Sequence, residues 1–192
     1  MGSNIEIEAK VLINKDEYNK VIEHLHLDAY RRIKQTNYYI DNDNLDIKNN
    51  GFALRVREKS QEFELTLKTP LSEGLLEKNE SISWRVFEDL RDNKVFPDGG
   101  IKKFLAILEI DTNELKIITS LTTERIEIEY KNNLLAVDKN TYGNNVDYEV
   151  EVESTSMSGA EETLKSILEE CEIKDFSFNK KSKQSRALSA LK

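Results

Sequence analysis

Several short segments of this 192-residue sequence place charged side chains at every second position. In the segment NIEIEAKVL, residues 4–12, Glu6, Glu8 and Lys10 alternate with apolar residues. This period of two predicts a half-buried strand with one charged face. Two carboxylates and an ammonium group on one face either contact water or bind a ligand that needs both signs of charge.

The same alternation recurs in later segments, where the charges are partly sorted by sign. The charged positions of interest are Arg55 and Arg57 in FALRVR, Lys68 in FELTLK, Arg125 in TERIEIEY, and Glu149, Glu151 and Glu153 in DYEVEVE. Any one of these strands could simply have one dry and one wet face in an antiparallel sheet. As a set they favour a different arrangement, because a generic wet face mixes signs and the predicted helices are too few to cover so many one-sided strands.

The elements around these segments are mostly strands. Helices are predicted over about 15–26, where Asn14 and Glu17 form a capping signal, over about 98–109 with Asp98 as cap, over about 159–174, and in SKQSRALSAL near the end. Strands are predicted in YRRIKQTNYYID, in a hairpin joined near Lys59–Glu62, in NESISWRVF and in three later segments, with a loop over Pro70–Lys78. The predicted class is α+β, dominated by antiparallel sheet.

A closed barrel accommodates the charged faces. We expect one domain over residues 1–192, built as an eight-stranded antiparallel β-barrel, or tunnel, with a charged lumen and the helices packed outside. A barrel of about eight strands has room for one small ligand.

The lumen chemistry points to a ligand that carries both an anion and a cation. Arg offers a planar fork suited to phosphate oxygens. Clustered carboxylates with no His or Cys among them suit Mg²⁺ or Mn²⁺. A polyphosphate chain with its divalent metal meets both demands, and hydrolysis of a phosphoanhydride needs the charge neutralisation that such a site offers.

Composition narrows the possible binding partners and the cellular location. A net charge of −8 argues against a general nucleic-acid or membrane-surface binder. A single cysteine, Cys171, excludes an internal disulfide and favours a reducing compartment. With no long apolar run and no signal-peptide pattern, we expect a soluble cytoplasmic protein. His24 and His26 are interpreted as exposed bystanders rather than a metal pair.

These residues, in this order, resemble the CYTH superfamily, the triphosphate tunnel metalloenzymes. EIEAK matches the E-x-E-x-K signature of that family, and the resemblance spans residues 5 to about 186. It implies a tunnel that acts on triphosphates with Mg²⁺ or Mn²⁺, using one or two metal ions.

The resemblance also implies roles for individual residues. The expected phosphate ligands are Lys10, Arg55, Arg57, Lys68, Arg125 and Lys183, with Arg186 nearby. The expected metal ligands are Glu6, Glu8, Glu80, Asp138, Glu149, Glu151 and Glu153. The late metal-facing pair is either Glu149 and Glu151, which the distance after Asp138 favours, or Glu151 and Glu153. Glu8 and Lys10 are the catalytic candidates, and Lys10 either holds a terminal phosphate or orients the attacking water.

The leading function is metal-dependent hydrolysis of a triphosphate, with inorganic tripolyphosphate as substrate. The alternatives are a thiamine triphosphatase, a class IV adenylate cyclase that converts ATP to cyclic AMP, and a non-catalytic polyphosphate or nucleotide-binding module. The expected partner is a small triphosphate-bearing molecule, with no nucleic acid and no membrane, and the protein is expected to be a monomer or homodimer.

Overall fold

The fold is a single antiparallel sheet of nine strands with all but the last of its described helices packed on its outer face, in a computed structural model that describes residues 2–191. The strands are β1 Gly2–Glu6, β2 Glu8–Ile13, β3 Ile33–Asp41, β4 Ala53–Lys59, β5 Glu62–Pro70, β6 Leu75–Ile82, β7 Lys116–Tyr130, β8 Asn133–Tyr142 and β9 Asn145–Glu153. The helices are α1 Lys15–His24, α2 Asp46–Asn49, α3 Trp84–Asn93, α4 Gly100–Ile107, α5 Met157–Glu170 and α6 Lys183–Ser189, with a 3₁₀ turn at Leu27–Ala29. The predicted α+β class is confirmed.

The first strand closes the sheet. The strand order is β1-β6-β5-β4-β3-β7-β8-β9-β2, so β1 and β2 form the two edges. These edges are consecutive parts of one segment, separated at Ile7, whose carbonyl accepts a 2.9 Å hydrogen bond from the Ser154 N–H. The predicted first strand is therefore split where it changes partners, which gives nine strands instead of eight and joins the two edges into a tunnel.

The apolar faces of the strands point outward, where helices cover them. One outer core joins β2 and β7–β9 to α1 and α5, and includes Val11, Val150 and the α5 stripe of Leu164 and Ile167. A second joins β3–β5 to α2, α3 and α4, and includes Leu65 packed near Phe87. Burial of these side chains contributes about 25 cal/mol for each Å² of apolar surface, and it fixes which face of each strand is inside.

Local signals account for some helix ends but not all. At α1 the Asn14 side chain accepts hydrogen bonds from the Asp16 and Glu17 N–H groups, and the Glu17 carboxylate accepts from the Asn14 N–H, so the predicted capping box is present. At α4 the predicted cap is wrong: the helix begins at Gly100 after Gly99, and Asp98 instead pairs with Lys102 at 2.7 Å.

Two predicted elements differ from the structure between β5 and α4. The predicted strand NESISWRVF ends at Ile82, and the chain then enters α3, with Ser83 as its cap. Its aromatic and β-branched residues favour a strand locally, but Phe87 stacks on Phe63 of β5 with ring centroids 4.8 Å apart. The predicted loop over Pro70–Lys78 is also shorter, because β6 already begins at Leu75.

The C-terminal helix α6 returns to the inside of the sheet. Ala187 packs there against Tyr39 of β3 and Leu121 of β7, both of which face inward. In the part of the chain that the structure describes, no helix is both long enough and apolar enough to cross a membrane.

Candidate functional site

The inner face of the sheet encloses a cavity of about 100 Å³ lined mainly by charged and polar side chains. It is lined by Glu6, Glu8, Lys10, Gln35, Asn37, Tyr39, Ala53, Arg55, Arg57, Lys68, Leu75, Arg125, Glu151, Ser182, Lys183 and Gln184. The structure thus brings together most of the residues that the alternating strands singled out. Arg186, Glu80, Asp138, Glu149 and Glu153 are not part of this lining.

The N-terminal segment contributes its whole charged face to the cavity. Glu8 and Lys10 lie on β2, where the Lys10 Nζ is 2.5 Å from the Glu8 carboxylate. Glu6, at the end of β1, pairs with the Lys68 ammonium of β5. Each carboxylate of the E-x-E-x-K segment is therefore neutralised by one lysine, and both lysines also line the cavity.

Lys10 is a cation in this setting. Burial alone would lower the pKa of Lys10, but the charges of Glu8, Glu151 and Glu149 outweigh burial and raise the pKa above its ordinary value. An ammonium with a raised pKa can hold an anion or orient water, but it does not take up a proton at neutral pH.

Next to the N-terminal segment, on β8 and its neighbour β9, three buried carboxylates lie around Lys183 and Arg125. Asp138, Glu149 and Glu151 place one carboxylate oxygen each within 4.8 Å of one another. The Lys183 Nζ lies 3.0, 2.7 and 2.5 Å from them in that order. Arg125 donates to both oxygens of Asp138 at 2.8 and 2.7 Å and to Glu151 at 2.5 Å. The cluster has carboxylate oxygens of the kind that bind a divalent cation.

The charges in this cluster shift the pKa values of its members. Burial alone would raise the pKa of Glu151, but Lys183, Arg125 and Lys10 lower it well below the usual range. Burial likewise works against the charged forms of Arg125 and Lys183, yet the neighbouring carboxylates raise the pKa of both. Glu151, Arg125 and Lys183 are therefore ionised at neutral pH.

Arg186 lies behind this cluster rather than in the cavity. Its guanidinium donates two hydrogen bonds to Glu149 at 2.9 and 2.8 Å and contacts Asp147 at 2.9 Å. Because Glu149 is fully buried and held on both oxygens, the pair braces α6 against β9. Lys183, three residues earlier on the same helix, is thereby held in the lumen.

The structure does not bring Glu80 to the cavity. Glu80 pairs in register with Leu65, on the outer face, and its carboxylate accepts the Ile101 N–H of α4 at 3.0 Å. Glu77 is the inward carboxylate of β6, since it pairs in register with Lys68. Its oxygen lies 3.9 Å from the Lys68 Nζ and 3.5 Å from Arg55. Sequence reasoning missed Glu77 because it assigned that position to a loop.

Glu153 lies beside the glutamates of the first segment. It is the register partner of Glu8 across β2 and β9. Burial raises the pKa of Glu153, and the charges of Glu6, Glu8 and Glu77 raise it further. These carboxylates repel one another, which is the condition that a bound cation relieves.

Several neutral residues of the cavity gave no signal in the sequence. Asn37 and Gln35 on β3, and Gln184 on α6, are almost completely buried yet line the lumen. Uncharged amides at alternate strand positions are common on wet faces, and only the closure of the sheet shows that they face a cavity.

Comparisons with known proteins agree with this architecture. The family model described as the CYTH domain matches residues 4–186. YjbK of Bacillus subtilis strain 168, provisionally named a triphosphatase, is 34% identical over 173 residues, which cover 90% of each chain.

Solved structures are similar over nearly the whole chain. A Bacillus halodurans protein provisionally named an adenylate cyclase is 35% identical with a TM-score of 0.89, and the match covers 97% of this chain and 98% of that one. A Hippeastrum protein provisionally named an adenylyl cyclase, for which a dominant triphosphatase activity is described, shares the fold at 21% identity, with a TM-score of 0.77 and 96% of each chain covered. From the tunnel, the family match and these relatives, it follows that the chain belongs to the CYTH family.

Proposed function

We propose that this protein hydrolyses a phosphoanhydride bond of a triphosphate, with inorganic tripolyphosphate as substrate and a divalent cation as cofactor. The observation that carries the proposal is the convergence of six basic side chains and several carboxylates on one enclosed cavity. The basic residues are Lys10, Arg55, Arg57, Lys68, Arg125 and Lys183. Phosphoryl transfer depends largely on positioning and charge stabilisation, which such a cavity supplies.

The names of the relatives support two versions of this chemistry. The triphosphatase name of YjbK favours hydrolysis. The adenylate cyclase name of the Bacillus halodurans protein supports the alternative, in which ATP is converted to cyclic AMP. We favour hydrolysis because Tyr39, the one aromatic side chain in the described lining, is only 2% exposed and offers little surface on which a purine could stack.

The carboxylates fit a hard divalent cation such as Mg²⁺ or Mn²⁺, since the donors are oxygens without nitrogen or sulfur. Glu6, Glu8 and Glu153 are the best candidates, because burial, and then the charges of nearby carboxylates that include Glu6 and Glu8, raise the pKa of Glu153. We therefore favour Glu151 and Glu153 over Glu149 and Glu151 as the late pair. Arg186 holds both Glu149 oxygens from behind the cluster. The Glu151 oxygens are held by Arg125 and Lys183, which line the cavity and can exchange these contacts for phosphate.

The protein's own groups have distinct roles in the proposed reaction. When bound, the cation would withdraw charge from phosphate oxygens and acidify a water molecule. The arginines and Lys68 would bind non-bridging oxygens, and Lys10, as an ammonium, would orient the terminal phosphate and the attacking water. Arg125 and Lys183 would have to exchange carboxylate contacts for phosphate contacts, because in the structure they pair with Asp138 and Glu151.

A substrate panel tests the proposal. Tripolyphosphate, thiamine triphosphate, ATP and GTP are incubated with Mg²⁺ or Mn²⁺, and phosphate, diphosphate and cyclic nucleotide are measured. The expected result is release of phosphate from tripolyphosphate. Cyclic AMP as the main product would overturn the hydrolase assignment, and tight binding without product would support the binding-module alternative.

The role of Glu8 is tested with a matched pair of variants. Glu8→Gln should lower turnover by on the order of 100-fold or more, because a Lewis-acid metal supplies several kcal/mol of transition-state stabilisation. Glu162→Gln, on the exposed face of α5, makes the same chemical change away from the cavity and should retain turnover. Wild-type turnover in Glu8→Gln would remove Glu8 from the metal site.

The remaining expectations stay predictions. They are a single domain, a cytoplasmic location, a small triphosphate-bearing partner, no nucleic-acid or membrane binding, and a monomer or homodimer. Size-exclusion chromatography with light scattering measures the last of these.

A further inference from the structure

The basic groups of the cavity fall into two sets that differ in how their charge is balanced. Lys10, Lys68, Arg125 and Lys183 each contact a carboxylate within 3.0 Å. Arg55 and Arg57, two positions apart on β4, do not. Arg55 reaches Glu77 only at 3.5 Å, and Arg57 forms no ion pair with any carboxylate among residues 2–191.

The charge on Arg57 is therefore poorly compensated. Burial, together with the neighbouring charges of Arg55 and Arg125, lowers the pKa of Arg57 to about 10. Its one side-chain hydrogen bond among the described residues runs from Nε to the Oδ1 of Asn37, at 3.1 Å. Asn37 is the register partner of Arg57 across β3 and β4 and is 1% exposed.

This hydrogen bond fixes the orientation of the Asn37 amide. The Arg57 Nε–H can only donate, so the Asn37 atom that faces it must be the oxygen. The Nδ2 of Asn37 is then left as a buried donor with no partner in the described part of the chain. The Arg55 Nε is unpartnered in the same way. Leaving a buried polar group without a partner costs folding free energy, so these two orphaned donors indicate that a ligand binds beside Asn37 and Arg55.

The corner formed by Asn37, Arg55 and Arg57 is less well neutralised than the rest of the cavity, because its nearest carboxylate contact is Glu77 at 3.5 Å from Arg55 and Arg57 forms no ion pair among residues 2–191. It presents hydrogen-bond donors and positive charge, whereas the four other basic groups of the cavity already contact carboxylates within 3.0 Å. An anion with several acceptor oxygens fits the corner directly, and a divalent cation does not.

We infer that Asn37 is a further phosphate ligand beside Arg55 and Arg57: its Nδ2 donates to a phosphate oxygen, and this contact needs no metal. The inference rests on the proposed function, because it assigns one phosphate group of the triphosphate to this corner and leaves the other phosphate groups to the carboxylate side. Asn37 is thus a substrate ligand and also positions the Arg57 guanidinium.

Phosphate binding in EDTA tests this inference without any turnover. Inorganic phosphate is titrated into the full chain by calorimetry and ³¹P NMR with all divalent metal removed. The wild type should bind. Asn37→Asp should bind roughly tenfold to a hundredfold more weakly, since a hydrogen bond to a charged group is lost and a carboxylate enters the corner.

A second variant separates the loss of the amide from the added charge. Asn37→Asp keeps an oxygen for the Arg57 Nε but places a negative charge in the cavity, which by itself weakens anion binding. Gln35→Glu, two positions earlier on β3 and also in the lining, adds the same charge and keeps the Asn37 amide. Asn37→Asp should bind phosphate more weakly than Gln35→Glu, whereas a residue that only positioned Arg57 would give the two variants equal affinity. Asn19→Asp, an exposed position on α1, carries the same charge change and should bind phosphate like the wild type. Circular dichroism checks folding, and Asn37→Ala, which removes the amide without adding charge, should also bind more weakly.

Two results would overturn the inference: wild-type phosphate affinity in both Asn37 variants, or phosphate binding by the wild type that appears only when Mg²⁺ is added. A wild-type protein that hydrolyses no triphosphate yet binds phosphate as described would overturn the proposed hydrolysis and support the phosphate-binding inference. The experiments can therefore refute the proposed hydrolysis and the phosphate-binding inference independently of each other.

Discussion

Lys183 is the most informative side chain to remove, because among residues 2–191 it alone contacts all three carboxylates of the buried cluster. Its Nζ lies within 3.0 Å of Asp138, Glu149 and Glu151, and all three are buried. Lys183→Met keeps most of the chain length and removes only the charge. Arg125 and Arg186 cannot replace the Lys183 ammonium, because neither of them contacts all three carboxylates.

The expected loss of stability is large. Removing one partner of a buried ion pair leaves an uncompensated charge, which lowers the free energy of unfolding by about 3–5 kcal/mol. For a chain of this size, each kcal/mol corresponds to about 2–4 °C, so the melting temperature should fall by about 6–20 °C.

The assay is urea and thermal denaturation at pH 7 in EDTA. Lys165→Met is the matched control, because Lys165 pairs with Glu169 at 3.8 Å on the exposed face of α5. An exposed pair of this kind contributes about 0–1 kcal/mol. A loss below about 1 kcal/mol for Lys183→Met, or one equal to that of the control, would refute the reasoning.

The pH dependence and the metal response give two further checks. Because Lys183 and Arg125 lower the pKa of Glu151, its carboxylate stabilises the fold above its unfolded pKa of about 4.5, and this contribution is lost as the pH falls through the lowered pKa. The difference between wild type and Lys183→Met should therefore be greatest near neutral pH and smaller in acid. Mg²⁺ or Mn²⁺ should stabilise the variant more than the wild type, since the three carboxylates then lack their shared cation.

Three further predictions follow from other sites. Glu153→Gln should raise the melting temperature at pH 7 in EDTA, because a carboxyl with a raised pKa costs stability once it ionises as the pH rises through that value; a lower melting temperature would contradict the repulsion from Glu6. Gly74→Ala should destabilise the protein by more than about 1 kcal/mol in urea denaturation, because Gly74 has φ +75° and a Cβ there would lie 2.4 Å from the Glu6 carbonyl oxygen. Burial raises the pKa of Cys171 to about 11, so its thiol should resist iodoacetamide at pH 8 until the protein is unfolded, as mass spectrometry of the labelled chain would show.

The alternation of charged and apolar residues was enough to predict which face of most strands looks into the tunnel. In β2, β4 and β9 the inward positions follow directly from the period of two, and the predicted α+β class and outer helices are confirmed. The same reasoning failed in β6, where a predicted loop hid the start of the strand. The choice between Glu77 and Glu80 depends on hydrogen-bonding register with β5, which local sequence does not specify.

The sequence by itself determined the elements whose signals are local: the capped helix α1, the β4–β5 hairpin, the α5 stripe and the charged faces. Only the tertiary structure decided how those charges meet. The break at Ile7, the sharing of Lys183 among three carboxylates, the placement of Arg186 behind Glu149 and the orphaned Asn37 amide all join residues distant in sequence. Strand period is a property of a few neighbouring residues, whereas register, closure and charge pairing arise when separate strands pack together.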